Sequence, residues 1–215
     1  MGIRAILHKI PRFLVFLMVA FSCSTLSACQ GLGEETPPVA AKVASVAQAY
    51  PIALAEARNW KPDAYLTKVH AWVRRAEDSQ PLSIDFLFES ESDRFPILSV
   101  TCLETQTGFQ TSVETYQYPP TKSTWRKPPV TSEYLTLDSA EVLNIGQRNG
   151  GSAFMHRQEK LGTERTAWYF LLLEWQPELE EVVWTACYTN VDGRESLYIF
   201  IDPRTGAVRK VIKQP

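Results

Sequence analysis

"WYFLLLEWQPELEEVVWTACYTNVDG", at residues 168–193, places two apolar runs on either side of an acidic turn. Successive side chains of a strand point to opposite faces, so alternate residues from Tyr169 to Trp175 would lie on one face and those from Trp168 to Leu172 on the other. Both faces are apolar, and each of them must therefore be covered. The stretch predicts two antiparallel strands, covered on one face by a helix and on the other by a second part of the chain, a ligand or a partner.

The same order occurs earlier in the chain, in "IDFLFESESDRFPILSVTCLETQTG" at residues 84–108. Both stretches run from a strand through an acidic turn to a strand with a cysteine, and both end in a glycine turn. Phe86 precedes Cys102 by 16 positions, and Phe170 precedes Cys187 by 17. Because self-similarity along a chain is the sign of a repeat architecture, we interpret the two stretches as parts of a tandem duplication.

A predicted helix precedes each of these stretches. "SVAQAYPIALAEARNW", at residues 45–60, is rich in the helix formers alanine and leucine, and Pro51 is compatible with it in a first turn. The second helix begins at "DSAE", residues 138–141, where Asp138 is followed three positions later by a glutamate in a capping box. The "NGG" at residues 149–151 predicts the end of this helix.

Runs with alternating apolar side chains follow both helices and predict strands. The first set begins with "YLTKVHAWV" (65–73), and the second begins with "SAFMHRQ" (152–158). A helix followed by meandering strands is typical of α+β proteins. We therefore predict an α+β fold of two tandem helix-plus-antiparallel-sheet repeats, at residues 46–116 and 138–215, joined by a Pro-rich linker at residues 117–137.

The closing sequence "SLYIFIDPRTGAVRKV" (196–211) resembles the end of a PepSY-type domain, which has a strand, an aspartate, a Thr-Gly turn and a final strand. Asp202, Thr205 and Gly206 fill that pattern. The resemblance implies a helix packed on an antiparallel sheet. It also implies a module of the cell envelope that binds or inhibits, in a family linked to peptidase propeptides, and it brings no catalytic residues.

Residues 1–28 have the features of a secretory signal peptide. This segment contains three basic residues and no acidic residue, and its apolar run at residues 13–21 is shorter than the roughly 20 residues that a membrane span needs. "LSAC", at residues 26–29, resembles the lipobox of bacterial lipoproteins. That resemblance implies cleavage before Cys29 and attachment of lipid to its thiol and to the new amino group.

The lipobox resemblance also predicts where the protein lies. Residues 29–45 would form a lipid-anchored tether, because they are rich in glycine, proline and alanine. Several acyl chains hold a protein firmly at a membrane, where one chain would not. By the sorting habit of the family, Gln30 after the anchored cysteine implies the outer membrane, on its periplasmic face, in a cell with two membranes.

The charge balance excludes one large class of partners. The chain has 22 Lys and Arg against 24 Asp and Glu, and residues 1–28 contain three of the basic residues. The remainder therefore has 19 basic against 24 acidic side chains. Nucleic-acid binding depends on a surplus of positive charge, so we predict no nucleic-acid partner.

No pattern of cysteine, histidine or acidic residues predicts an active site. Cys102 and Cys187 lie in predicted strands, where a buried thiol or a Cys102–Cys187 disulfide is favoured over a nucleophile. His70 and His156 occupy comparable places in the two repeats, but two imidazoles without the spacing of a metal motif predict no metal site. The acidic residues between 174 and 181 are typical of a solvated turn. We predict no cofactor.

Aromatic side chains are the remaining candidates, since a surplus of apolar surface indicates a partner. Trp175, Trp184 and Tyr198 are the predicted binding residues, beside an open strand edge that could accept a strand from a peptide. The sequence thus favours a non-enzymatic envelope lipoprotein that binds a protein or peptide, and the PepSY resemblance implies a role in regulating peptidases. The alternative is a structural or assembly lipoprotein of an envelope complex, and a hydrolase with an unrecognised site is less favoured.

Overall fold

The computed structural model describes residues 38–93, 96–117, 127–163, 167–190 and 192–215. These residues belong to a single unit, residues 36–215. The predicted signal peptide, the lipidation residue Cys29 and the first part of the tether lie outside the described residues. No helix in the described part of the chain is long and apolar enough to cross a membrane.

Ten strands and three helices make up the described fold. Its first half contains β1 (Ala41–Lys42), α1 (Val46–Trp60), β2 (Ala64–Trp72), β3 (Arg74–Arg75), β4 (Ser83–Ser90), β5 (Pro96–Thr105) and β6 (Gly108–Gln117). Its second half contains α2 (Ser139–Gly146), α3 (Ser152–Lys160), β7 (Trp168–Gln176), β8 (Glu181–Thr189), β9 (Ser196–Ile201) and β10 (Val208–Gln214). A 3₁₀ turn at Ser132–Leu135 precedes α2.

Eight of the strands form one antiparallel sheet in the order β10-β9-β8-β7-β2-β4-β5-β6, and β1 pairs with β3 beside it. The prediction of an α+β protein is confirmed, with most of the structure in strands. The two halves of the chain each contribute a four-stranded meander. The two meanders lie edge to edge, because β2 pairs with β7 from Lys68↔Glu174 to Trp72↔Phe170.

Both helical segments pack on the same face of this sheet. The ring of Tyr50 in α1 lies 6.1 Å from that of Phe86, and Gly146 in α2 lies against Ala186 and Tyr188. A row of cross-strand neighbours on this face runs through five strands, and all of its members are fully buried: Phe86, Val69, Leu173, Trp184 and Ile201. The hydrophobic core therefore lies between one sheet face and the helices.

Helix α1 agrees with the sequence prediction at both ends. Ser45 is the N-cap, and its hydroxyl accepts a hydrogen bond from the backbone N–H of Gln48. Lys61 ends the helix in an extended conformation. Pro51 lies in the second turn rather than the first, on the exposed side of the helix. Small buried residues, Ala49, Ala53 and Ala57, let the helix approach the sheet closely.

The second helical segment is longer than predicted. Gly150 has a φ of 119°, as a glycine stop requires, but the chain turns once at Gln147–Gly151 and continues as α3. The predicted strand at residues 152–158 is therefore wrong. Its buried residues are Ser152, Phe154, Met155 and Gln158, spaced two, one and three apart, and this spacing places them on one side of a helix rather than on one face of a strand.

Two glycines allow this kinked segment to approach the sheet. A Cβ on Gly151 would lie 2.3 Å from Cζ of Tyr188, and one on Gly146 would lie 2.7 Å from the Tyr188 hydroxyl oxygen. Contacts this short cannot form without a shift of the backbone. The glycines are thus needed for close packing against Tyr188, which is itself buried.

The strand order corrects the alignment of residues 84–108 with residues 168–193 that the sequence pattern suggests. Residues 84–108 contain β4 and β5, which are the second and third strands of the first meander. Residues 168–193 contain β7 and β8, the first and second strands of the second meander. The similarity between the two stretches is one of pattern, since alternating apolar strands around an acidic turn look alike at any place in a meander.

Of the two alternatives for the cysteines, the structure has the buried thiol, because Cys102 and Cys187 are both free and the possible disulfide is not formed. Cys102 lies on β5 and Cys187 on β8, and three strands separate these two. Neighbouring strands are about 4.8 Å apart, so the cysteines are on the order of 19 Å apart, well beyond the roughly 7 Å limit for a bridge.

Two segments predicted as connections are partly built into the fold. Ala41 and Lys42, in the predicted tether, pair with Arg75 and Arg74, and Ala44 is 1% exposed. In the predicted linker, the Val130 N–H donates to the Leu66 carbonyl at 2.7 Å. A backbone pairing of one or two residues is too short to produce a run of alternating apolar and polar side chains. The composition of these segments therefore predicted flexible connections.

The predicted closing turn is confirmed. The Asp202 carboxylate accepts the backbone N–H groups of Arg204 and Thr205 at 2.9 and 3.0 Å. Gly206 has a φ of 73°, a left-handed conformation that glycine adopts without strain. The side chain of Arg209 donates to the same carboxylate at 2.6 Å. This aspartate therefore holds the hairpin between β9 and β10.

The predicted capping box is confirmed, and it joins the two helices. Asp138 caps α2 with Glu141 as its reciprocal partner. The same carboxylate accepts the Ser45 hydroxyl at 2.7 Å and the Ala47 N–H at 3.1 Å, both at the start of α1. The Ser139 hydroxyl donates to the Ala44 carbonyl at 2.6 Å. One carboxylate thus stabilises the N-termini of both helices.

We expect Asp138→Ala to lower the free energy of unfolding by about 2 to 3 kcal/mol, because two helix N-termini lose a cap that contributes roughly 1 kcal/mol each. Asp138→Asn is the matched control, since asparagine caps almost as well. Denaturant unfolding at pH 7 measures both variants. Equal stability of the two variants would contradict a shared cap.

The same residue predicts a pH dependence. Burial raises the pKa of Asp138, but hydrogen bonds from Ser45, Ala47 and Ser139 outweigh burial and leave the pKa below its ordinary value. The stabilisation from a lowered pKa is present above the unfolded-state pKa, about 4, and is lost as the pH falls through the folded-state pKa. Wild type should therefore lose more stability than Asp138→Asn in melts below about pH 4.

Candidate functional site

The face of the sheet opposite the helices carries an aromatic cluster, defined here as His70, Trp72, Trp168 and Phe170. These side chains come from β2 and β7, where the two meanders meet. The His70 ring lies 4.3 Å from Trp72 and 5.0 Å from Phe170, and Trp72 lies 6.4 Å from Trp168. No described helix packs on this face, which we call the uncovered face.

A hydrogen-bond network on the same face orients the cluster. The Trp72 indole N–H donates to Asp85 Oδ2 at 3.3 Å, and the Thr101 hydroxyl donates to Asp85 Oδ1 at 2.7 Å. His70 Nδ1 lies 3.8 Å from Asp85 Oδ2. Asp85 on the neighbouring strand β4 therefore fixes the indole and lies close to the imidazole.

His70 is held in its neutral form. Burial lowers its pKa below the ordinary value, which outweighs the opposing effect of the Asp85 carboxylate. Lys68 lowers this pKa further, and Glu174 raises it. A neutral imidazole can pack against the rings of Trp72 and Phe170 without a charge to solvate, so the cluster is a largely apolar surface at neutral pH.

An ion pair lies next to the cluster on the same seam between the meanders. Lys68 Nζ is 3.3 Å from Glu174 Oε2, and both side chains are mostly shielded from solvent. The two residues are direct cross-strand partners. Opposite charges at such positions stabilise strand pairing by a few tenths to about 1 kcal/mol. The pair thus supports the register that assembles the cluster.

The cluster ends at a cleft of about 760 Å³. Trp72 and Trp168 line it together with Arg74 and Arg75, which form β3. The Arg74 guanidinium lies 6.0 Å from the centre of the Trp72 ring, a distance that allows a cation–π contact. The aromatic cluster and the cleft therefore form one continuous surface.

The structure places the three predicted binding aromatics in three different environments. Trp184 is fully buried in the core beneath the helices, so its prediction as a binding residue is wrong. Trp175 points to the same side and packs against the margin of the core. Tyr198 lies on the uncovered face, as the cross-strand partner of Cys187. Side chains alternate between the two faces along a strand, so the position of each residue in its strand decides which face it lies on.

The sequence contains a signal for each half of the cluster, but none for the meeting of the two halves. In "YLTKVHAWV" (65–73), Lys68, His70 and Trp72 alternate with apolar residues, and Trp168 and Phe170 share one face of the strand that follows residue 167. What was missing was the pairing of β2 with β7, which brings the two sets together. That pairing joins residues about 100 positions apart and has no local signature.

The open edge near Tyr198 is less suited to binding a strand than predicted. This edge is β10, which carries three positively charged residues, Arg209, Lys210 and Lys213. Lysine and arginine on an edge strand oppose the addition of another strand. Arg209 and Lys210 are also engaged, by Asp202 and Glu178. The uncovered face is therefore the better candidate surface.

The other candidate residues do not assemble into a reactive or metal-binding group. His70 is on β2 and His156 on α3, so they are not in comparable places. Burial raises the pKa of Cys102 to about 11 and raises that of Cys187 further, which disfavours the thiolate. No group of His, Cys, Asp or Glu in the described residues could hold a metal ion.

The different environments of two tryptophans lead to a direct test. We expect Trp184→Ala to lower the free energy of unfolding by about 3 to 5 kcal/mol, since it leaves a cavity in the core. Trp168 is 56% exposed, and Trp168→Ala should change stability by less than about 1 kcal/mol. Denaturant unfolding of both variants checks this, and a small effect at Trp184 would contradict its place in the core.

Comparison with known proteins gives one distant likeness. No family model matches the chain, and no curated protein matches it. A solved structure described as a "putative lipoprotein" from Clostridium difficile 630 is similar to this chain with 10% sequence identity and a TM-score of 0.47. The match covers 85% of this chain and 97% of that chain. At this level of similarity the function must be argued from the residues themselves.

Proposed function

We propose that this protein is a lipid-anchored protein of the bacterial envelope that binds a polypeptide partner on the uncovered face of its sheet and catalyses no reaction. The aromatic cluster at the centre of that face is the observation that supports the proposal. Tryptophan and other aromatic residues contribute most of the binding energy in many protein interfaces. A sheet face that carries an aromatic cluster and has no described helix on it offers a broad surface rather than an enclosed site.

The chemistry of this surface suits a protein surface as partner. Aromatic rings form its centre, and a paired lysine and glutamate, Lys68 and Glu174, lie beside them. An aromatic centre with charged groups around it is the usual composition of a protein interface. Because the ion pair is largely shielded already, a partner would desolvate little additional charge on binding.

The proposed lipid anchor is supported by the sequence of the predicted signal peptide. The lipobox-like "LSAC" at residues 26–29 makes Cys29 the proposed site of diacylglycerol and N-acyl (palmitoyl-type) modification, and Gln30 favours the outer membrane. Residues 29–37 separate the anchor from the described fold. Nine residues span at most about 30 Å, so the uncovered face would work close to the membrane surface.

The two halves of the chain are proposed to derive from a duplication of a PepSY-like unit, with a corrected alignment. In each half an N-capped helix precedes a meander of four antiparallel strands. In the sheet the order of strands reads outward in the same way from β2 and from β7, and the two helix N-termini meet at Asp138. Such a relationship would make β2 and β7 equivalent strands, with the aromatic cluster on the axis between them.

The absence of catalysis is proposed from the chemistry of the thiols and imidazoles. A nucleophilic cysteine needs a lowered pKa and a base beside it, whereas burial raises the pKa of both described cysteines. His70 interacts with aromatic rings and with Asp85 on a surface rather than in a deep pocket. A binding role is the simplest use of these groups.

The anchor is tested by Cys29→Ser. We expect this variant to accumulate as an uncleaved precursor and to incorporate no radiolabelled palmitate, because the enzymes that process lipoproteins require the cysteine thiol. Cys102→Ser is the matched control and should be processed and labelled like wild type. Normal processing and labelling of Cys29→Ser would contradict the proposed anchor.

The binding face is tested by photo-crosslinking in cells that produce the anchored protein. A photoreactive phenylalanine replaces Trp168 or Tyr198 on the uncovered face, and Ile52 on the exposed side of α1 as the control. We expect discrete protein adducts from positions 168 and 198 and none from position 52. Phe170→Asp should reduce the adducts from position 198 by about tenfold or more, because a charge in the aromatic contact opposes burial.

Two results would contradict the proposed function. The first is equal crosslinking from position 52 and from the uncovered face, which would mean random encounters. The second is crosslinking from the uncovered face that persists unchanged in Phe170→Asp. Far-ultraviolet circular dichroism and thermal melts of each variant show whether the fold is retained.

A further inference from the structure

The strand β6 forms one end of the eight-stranded sheet, and β10 forms the other. It has 10 residues, Gly108–Gln117, and each residue from position 112 to position 117 is exposed. It pairs with β5 on its inner side, and no described strand lies on its outer side. In an antiparallel edge strand, alternate residues bond to the inner neighbour. The N–H and C=O groups of the other residues therefore face outward, in a row that can bond to a further strand.

The β6 edge lacks the features that protect the β10 edge. β10 carries Arg209, Lys210 and Lys213, and its register with β9 shifts between Val208 and Lys210. Cationic side chains and irregular pairing both oppose the addition of a strand. β6, "GFQTSVETYQ", contains no lysine, arginine or proline, and its register with β5 is continuous along its whole length. The sheet thus has one protected edge and one regular edge without such protection.

Contacts with the rest of the fold hold β6 in place while its second half stays exposed. Phe109 packs against the core, and the Thr111 hydroxyl donates to Glu56 on α1 at 3.4 Å. Val113 lies beyond these contacts and is 45% exposed. Threonine, valine and aromatic residues are favoured in strands, and they make up half of β6. The edge is therefore already in the conformation that an added strand requires.

Two copies of β6 complement each other when they pair antiparallel about Val113. In a pair with two-fold symmetry, residues at equal distances from the axis lie opposite each other. This register places Val113 opposite its own copy, and the threonines two positions before and after it lie opposite each other. Glu114, the one charged residue of β6, lies opposite Ser112. A register about Glu114 would instead bring two carboxylates together, which destabilises a strand pair.

We infer that β6 is a self-association surface, at which two copies of this chain pair antiparallel with the symmetry axis at Val113. The two eight-stranded sheets then form one continuous sheet. Backbone hydrogen bonds between the two β6 strands hold the pair together, and the side chains of Val113 lie against each other. Two strands, β4 and β5, separate β6 from the strands of the aromatic cluster. This interface is thus distinct from the uncovered face, and either surface can be tested without the other.

Cysteine crosslinking in membranes tests the pairing. Two differently tagged copies of the full chain are produced in the same bacterial cells, each with Val113→Cys, and a short bismaleimide is added. Opposite side chains in an antiparallel pair have Cβ atoms about 5 Å apart, so we expect an adduct that carries both tags. Val211→Cys is the matched control, because Val211 lies on the other edge strand and is 42% exposed. This control and the wild type, whose Cys102 and Cys187 are buried, should give no such adduct.

Charge substitutions test the register. Val113→Lys places two positive charges opposite each other, and Val113→Glu places two negative charges there. Each variant alone should raise the Kd of the dimer about tenfold or more in sedimentation experiments on the full chain in detergent micelles. A mixture of the two variants should dimerise again, since lysine then faces glutamate. Val211→Lys should leave the Kd unchanged, and thermal melts should show little change for any variant at these exposed positions.

Four results would overturn the inference. They are the absence of a two-tag adduct from Val113→Cys, an equal yield from Val211→Cys, an unchanged Kd in Val113→Lys, and a mixture of Val113→Lys and Val113→Glu that fails to dimerise. An edge filled by another protein or by another part of the same chain would give the first of these results.

Discussion

The pairing of β2 with β7 is the interaction on which the rest of the structure depends. It joins two four-stranded meanders into one eight-stranded sheet, with Lys68 opposite Glu174 and Trp72 opposite Phe170. Because side chains alternate along both strands, this register also decides which residues share a face. A shift of one position would move Trp72 and His70 to the side of the helices and Val69 to the other.

Hydrogen bonds to one residue, Asp138, join the two helical segments that cover the sheet. Asp138 caps α2 and also accepts hydrogen bonds from Ser45 and Ala47 at the start of α1. Both helices consequently lie on one face of the sheet, where they bury the row that includes Trp184 and Phe86. The kinked second helix fits only because Gly146 and Gly151 leave room for Tyr188. The arrangement of the halves side by side, rather than face to face, leaves the opposite face without a described helix.

The aromatic cluster and the cleft are both consequences of that arrangement. Strands from different halves supply Trp72 and Trp168, so neither half alone would contain the surface. Arg74 and Arg75 form β3, one residue after the end of β2, and lie at the end of the cluster. The seam between the halves is therefore the proposed place at which a partner binds.

The sequence by itself determined the local features of this protein. The start of α1 at Ser45, the capping box at Asp138, the turn at Asp202 and eight of the strands were predicted, because alternation, capping and turn chemistry depend on residues a few positions apart. The tertiary structure alone decided that Trp184 is core, that three strands separate Cys102 from Cys187 and that residues 152–158 continue a helix. It also decided that His70, Trp72, Trp168 and Phe170 meet, since strand order is set by contacts between residues far apart in the chain, which leave no periodic signal within either strand.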